Sequence, residues 1–311
     1  MPWQHFTSIA LRPPRVPRIK RRYSVTSHVL AYRRCSRQYG FVGERRYESA
    51  LAVQRFYGTI VHQVLDLAHA HFAGLLDPST RGRVPTDPDI ESYFDEVENG
   101  LRARRIYAVG KVREHALKVL TRFNSLEGPN LYPRVVDTEC RLQSDQGRYI
   151  LHGNVDVLAH TEEAAQDPDA IHHLADMELW DYKGARKPSI SSPDFQNYVF
   201  QMRVYAEIYR QKTGSLPAQA VLYFLNELAD EPPPTARPVN ATVVVDCGQA
   251  EVDQAMNAFR MTVGDIENCR LLRQWPDPTV PPAEETCDAC DFRWNCQAAV
   301  RFKRQYPMIY P

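Results

Sequence analysis

Asp181 and Lys183 stand two residues apart near the end of Met177-Glu178-Leu179-Trp180-Asp181-Tyr182-Lys183-Gly184. The stretch reads as a short buried strand. Side chains alternate along a strand, so the acid and the lysine share one face, opposite Trp180 and Tyr182. A carboxylate that can hold a divalent cation then lies beside an ammonium that can orient a water or a phosphate. A further acid, Asp156, arrives on the apolar run from Tyr149 to Leu158, three residues after Gly153. Two acids and a lysine on neighbouring strands suit metal-assisted phosphodiester hydrolysis.

The thiols make a separate constellation. Cys287, Cys290 and Cys296 give a C-x2-C-x5-C spacing in a segment rich in proline and polar residues, which points to a metal site. A four-thiolate site needs one more ligand. Cys140 and Cys247 fall on predicted strands and Cys269 on a predicted helix, where small packing residues belong. Cys35, set among arginines, is the least core-like candidate. Zinc and an iron–sulfur cluster both accept tetrahedral sulfur, so the thiols alone leave the two open.

The chain has 311 residues, 43% hydrophobic and 24% charged, with zero formal net charge. This composition suits a globular protein with one large domain. No apolar run approaches a membrane span, and the start has no secretory h-region, so we expect a reducing cytoplasm where seven cysteines are not a disulfide framework. Charge is uneven. Arg33, Arg34 and Arg37 belong to a basic cluster between Arg12 and Arg55 that could bind a polyanion.

Residues 1–22 read as an irregular Pro- and Arg-rich arm ahead of a domain over 23–311. A helix capped by Thr26 or Ser27 leads to Cys35, and a long amphipathic helix spans about 51–76. The region from Ile90 to about Leu126 reads as one long or broken helix, with Gly110 a possible break and Pro129 and Pro133 ending it. It lies in a helical insertion of about 78–130. A hairpin around Ser144-Asp145-Gln146-Gly147 follows. Residues 160–175, including His172 and His173, read as an inserted loop. Ser192-Pro193 starts a helix with proline at its first position. It carries Gln201 and Tyr205 one turn apart on one face. Strands over 218–225 and 241–245 and a helix from about 251 to 275 complete an α/β fold with a mixed sheet.

In this order, Tyr23-Ser-x-Thr26…Cys35, Gly58-x3-His62, Gly153-x2-Asp156, Asp181-Tyr-Lys183, Gln201-x3-Tyr205 and Cys287-x2-Cys290-x5-Cys296 resemble the PD-(D/E)XK nuclease superfamily. Within it the chain resembles the RecB-like branch with an iron–sulfur cluster. That branch includes AddB-type subunits, CRISPR-associated RecB-like exonucleases and nuclease domains of UvrD-like helicases. The resemblance implies a restriction-endonuclease-like core with a mixed central sheet flanked by helices, a helical insertion and an Fe–S cap. It implies His62, Asp156, Asp181 and the Tyr182 carbonyl as ligands of Mg²⁺ or Mn²⁺, with Lys183 catalytic and Gln201 and Tyr205 beside it. A histidine ligand tilts the choice to Mn²⁺. It implies Cys35, Cys287, Cys290 and Cys296 as ligands of a 4Fe–4S cluster rather than Zn²⁺. The expected substrate is DNA, single-stranded or at ends, cut during repair, recombination or CRISPR and phage defence. Basic residues would track its backbone, and Tyr32, Tyr39 or Phe41 could stack its bases. A helicase or CRISPR adaptation protein is the expected partner; lacking a phosphate-binding loop, this chain would leave any motor to another. The rival is an idle DNA-binding scaffold subunit stapled by its cysteines.

Overall fold

The computed structural model describes residues 20–44, 53–107, 110–166, 174–278, 286–287, 290–293 and 296. The expected arm up to residue 19, His172, His173 and the basic tail after Cys296 lie outside them.

Strand β1 (Arg21–Ser24) opens the described chain, although residues 21 and 22 read as irregular from their charge. The π-helical turn that follows, Val25–Leu30, is capped by Ser24 rather than by Thr26 or Ser27. The Ser24 hydroxyl accepts from the Ser27 N–H, one of the donors a helix start leaves unpaired. Short helices α1 (Ala31–Arg34) and α2 (Ser36–Tyr39) lead on to the long α3 (Val53–Ala73).

The region read as one long or broken helix is two helices, α4 (Asp87–Ala103) and α5 (Gly110–Leu131). Gly110 starts the second. Of the two prolines expected to end it, Pro129 sits inside its last turn and Pro133 falls in the turn just after Leu131. Strands β2 (Val135–Asp145) and β3 (Tyr149–His160) form the expected hairpin, with Gly147 at φ +79° in its turn. A short helix, α6 (Glu162–Gln166), follows. Strand β4 (Met177–Lys183) leads through Ser192 to α7 (Pro193–Thr213), whose cap is the Ser192 hydroxyl accepting from the Phe195 N–H. Strands β5 (Gln219–Phe224) and β6 (Thr242–Val245) and helix α8 (Gln249–Leu272) complete the order.

The strands make one six-stranded mixed sheet. It forks at β3. One edge of β3 pairs with β2 along nearly its whole length. The other edge is shared: residues 149–152 pair with β1 in parallel, and residues 157–160 pair with β4 antiparallel. Between those stretches lies the segment from Gly153 to Asp156.

Helices cover both faces of the sheet. On one, α7 and α8 bury Met202, Ile208 and Phe259 against Leu151, Leu179 and Leu222. On the other, α3, α4 and α5 bury Ile60, Phe94 and Phe123 against Trp180, Tyr182 and Tyr223. Helices α4 and α5 therefore share one of the two helical layers with α3. Burial of these apolar faces is the main favourable contribution to such a sandwich. Among the described residues, no helix is long and apolar enough to cross a membrane.

Candidate active site

The site grows from strand register. Val157 of β3 faces Trp180 of β4 as the last pair of that antiparallel ladder. Continuing the count by one sets Asp156 against Asp181, where the two strands part. The Tyr182 N–H, at the start of this splay, donates to Asp156 Oδ2 at 2.6 Å. Across the other edge of β3, Thr138 faces Val157 and Cys140 faces Val155, so Glu139 stands opposite Asp156. Glu139 has φ +47°, a left-handed conformation uncommon for a residue with a side chain. Glu139, Asp156 and Asp181 thus form a transverse row of three carboxylates on three adjacent strands.

Two cations meet this row. His62 reaches in from α3, one turn after Gly58, and its Nδ1 lies 3.2 Å from Asp156 Oδ1. Burial pushes the imidazole pKa down, but the Asp156 carboxylate, hydrogen-bonded to it, outweighs that and raises it to about 9. Lys183 Nζ lies 2.6 Å from Asp181 Oδ2. Asp181 is 3% exposed, and burial holds its carboxyl above the usual range against the opposing pull of Lys183. Glu139 is raised too, by burial and then by the charge of Asp156.

Gln201 of α7 ties the acid to the lysine. Its Nε2 donates to Asp181 Oδ1 at 2.7 Å, and its Oε1 accepts from Lys183 Nζ at 2.9 Å. Its Nε2 also lies 3.2 Å from the Tyr205 hydroxyl. Tyr205 packs on Gly153, where an added Cβ would fall 2.4 Å from the ring. The missing side chain at 153 is therefore what lets α7 settle at the fork and deliver Gln201. Tyr182 turns its ring to the opposite core, where its hydroxyl meets His69 Nε2 at 3.1 Å. Its backbone faces the site, and its ring meets the His62 imidazole edge-on at 6.3 Å.

These groups suit a divalent cation. Donor atoms of His62, Glu139 and Asp156 lie within 4.8 Å of one another. Asp181 Oδ2 is buried and is met by the Lys183 ammonium at 2.6 Å. A carboxylate oxygen that meets a single donor keeps a lone pair for a metal. Glu139, at one end of the row, lines an open cleft of about 680 Å³ together with Gly58, His62, Asp66, Arg141 and Asn154.

The structure thus brings together His62, Asp156, Asp181, Lys183, Gln201 and Tyr205. Sequence reasoning missed Glu139 and Arg141. Counting across the predicted hairpin would have placed Glu139 opposite Asp156.

The basic and aromatic residues of the N-terminal segment have other contacts. Arg33 is tied to α8 through Thr262 Oγ1 at 3.0 Å and the Ala258 carbonyl at 2.8 Å. It also lies over the Phe200 ring. Arg37 pairs with Asp277. Arg34 is exposed, and its charge reaches Tyr198. Tyr39 is 3% exposed and belongs to the core, so it offers no surface for stacking bases. Tyr32 meets Trp275 edge-on, and Phe41 stacks on Phe292 with centroids 4.5 Å apart.

That last stack sets the two cysteine segments side by side. Cys287 and Cys290 share a turn, the Cys290 N–H donating to the Cys287 carbonyl at 3.1 Å, and a second turn joins Arg293 to Cys296. The Cys35 thiol is pushed up chiefly by burial, and also by the charges of Cys296 and Cys290. Cys35 is thus close to both.

Among curated proteins, no sequence matches the chain. A family model for the PD-(D/E)XK nuclease superfamily matches residues 24–297, a span holding every residue of the carboxylate row and both cysteine segments. With that match over most of its length, and a mixed sheet carrying the acids and the lysine, the chain belongs to the PD-(D/E)XK nuclease superfamily.

Proposed function

We propose that this protein is a Mg²⁺- or Mn²⁺-dependent deoxyribonuclease that hydrolyses phosphodiesters of single-stranded DNA or DNA ends, in repair, recombination or defence against foreign DNA. The observation that carries the reading is the meeting of His62, Asp156 and Asp181 with Lys183 at the fork of the sheet. His62, Asp156, Asp181 and the Tyr182 carbonyl are the proposed ligands, and Glu139 is placed to join them. A divalent ion there supplies Lewis-acid polarisation of a phosphoryl oxygen and acidifies an attacking water.

The remaining roles belong to the side chains. Lys183 offsets the charge that grows on the phosphorane oxygens and orients the incoming water. Gln201 fixes the lysine and Asp181 relative to one another, so neither has to reorganise as charge develops. The Tyr182 N–H locks the Asp156 rotamer. Arg141, on the cleft wall, is suited to a backbone phosphate.

Cys35, Cys287, Cys290 and Cys296 are the proposed ligands of a 4Fe–4S cluster that clasps the two ends of the domain. The nearness of Cys35 to Cys290 and Cys296 supports this. The cluster's role is structural.

End-labelled single-stranded DNA in Mn²⁺ tests the hydrolase. Wild type should degrade it, while Asp181→Ala and Lys183→Ala should each lose at least about a hundredfold in rate. Equal degradation by all three would remove the assignment. An inert wild type that still binds DNA would favour the scaffold.

A further inference from the structure

Gly58 borders two hollows. One is the cleft lined by His62 and Glu139. The other, of about 550 Å³, has Tyr57, His115 and Tyr198 among its walls, and Lys111 lines it as well. None of its lining residues is acidic, in contrast to the first.

The walls of this second hollow are held in place. The Tyr57 hydroxyl donates to Asn226 Oδ1, and His115 Nε2 lies 3.0 Å from the same oxygen. Asn226 in turn donates from Nδ2 to the Gly184 carbonyl at 3.2 Å. One amide thus orients two rings and anchors them to the residue that follows Lys183. Gly184 contributes bare backbone, since a Cβ there would fall 2.8 Å from the Tyr57 ring. The Lys183 ammonium lies 4.5 Å from the Tyr198 ring centroid. The hollow is therefore one side chain away from the lysine of the carboxylate row.

Fixed aromatic walls, a polar amide and a lining lysine with no acid among the walls match the chemistry of a nucleotide. The π-faces suit any base, and the lysine suits its phosphate. We propose that this hollow is a base subsite, which takes one unpaired nucleobase from the nucleotide adjoining the phosphodiester that Lys183 faces. This rests on the hydrolase reading for the identity of the polymer. A base within a duplex is stacked and paired, and must leave its helix before it can enter. The subsite would thereby favour single strands and frayed ends over intact duplex. Gly58 lies at the border between the hollows, where an added Cβ meets no atom within 4 Å.

The test compares binding of end-labelled oligothymidylate with binding of an abasic oligomer of equal length, in EDTA, so that hydrolysis plays no part. Wild type should prefer the thymidylate by about tenfold. Tyr57→Leu should bring that preference close to one while leaving affinity for the abasic oligomer unchanged. His115→Ala, which removes a second wall of the hollow and lies outside the carboxylate cleft, should also lower the preference and guards against a folding defect in the first variant. No preference in wild type, or a preference that survives both substitutions, would overturn the subsite. Cleavage of the thymidylate by wild type in Mn²⁺ reports separately on hydrolysis. Cleavage without base preference leaves a nuclease lacking this subsite, and preference without cleavage leaves the subsite but no hydrolase.

Discussion

Replacing Gly153 by alanine isolates the contact that seats α7 at the fork of the sheet. The new methyl carbon would sit 2.4 Å from Tyr205 Cε1, 3.0 Å from Cδ1 and 3.1 Å from Cζ. Carbon atoms in ordinary contact stand about 3.5–4.0 Å apart, so the ring must retreat by roughly 1 Å. It has little room, being 5% exposed and set in the core against β3. Overpacking of this kind costs about 1–3 kcal/mol. For a large domain, roughly 2–4 °C of melting temperature is lost per kcal/mol. Retreat of the ring also disturbs its contact with Gln201, so cleavage should fall by more than the loss of folded protein explains. The assay is a double-mutant cycle with Tyr205→Leu, read by thermal and urea unfolding. With the ring gone, alanine at 153 should be neutral or slightly stabilising, because glycine in a strand is about 0.5–1 kcal/mol worse than alanine. The penalty should thus vanish or change sign, a coupling of at least about 1 kcal/mol. Equal, additive costs in both backgrounds would refute the packing argument.

Glu139→Gln should weaken Mn²⁺ binding by about 10- to 100-fold, as measured by calorimetry, while leaving the melting temperature of the metal-free protein within a few degrees. His69 is held neutral by burial, its pKa lowered to about 3. The unfolded chain therefore takes up a proton first, near pH 6.5, and stability should fall with pH below that point by up to about 1.4 kcal/mol per unit. His69→Gln should flatten that slope between pH 6.5 and 5 in urea titrations. Purified without oxygen, wild type should carry iron and acid-labile sulfide. Cys35→Ser and Cys290→Ser should each lose them, whereas stoichiometric zinc in a colourless protein would replace the cluster reading.

Much of this site was legible from local signals. The alternation in Met177–Lys183 placed Asp181 and Lys183 on one face, and Ser192-Pro193 marked the start of the helix that delivers Gln201. What escaped depended on partners distant in the chain. β1 is short and charged, and its strand character comes from parallel pairing with β3, more than 120 residues on. Glu139 gains meaning only from the register that sets it across from Asp156. Pro129 lies late in its helix, and packing of Leu131 and Tyr132 into the core carries the chain past it. Arg33 and Arg37 looked available as part of a cationic cluster, but acceptors brought by α8 and Asp277 engage them.

The carboxylate row also sets which changes of chain length the hairpin can absorb. Residues added in matched pairs at the tip around Gly147 would lengthen both arms and leave Glu139 across from Asp156. A single residue inserted into one arm between Glu139 and the tip would shift the pairing by one step and turn the glutamate to the opposite side. Hairpins of different reach are thus compatible with the same chemistry, whereas a lone insertion would dismantle it without touching any ligand.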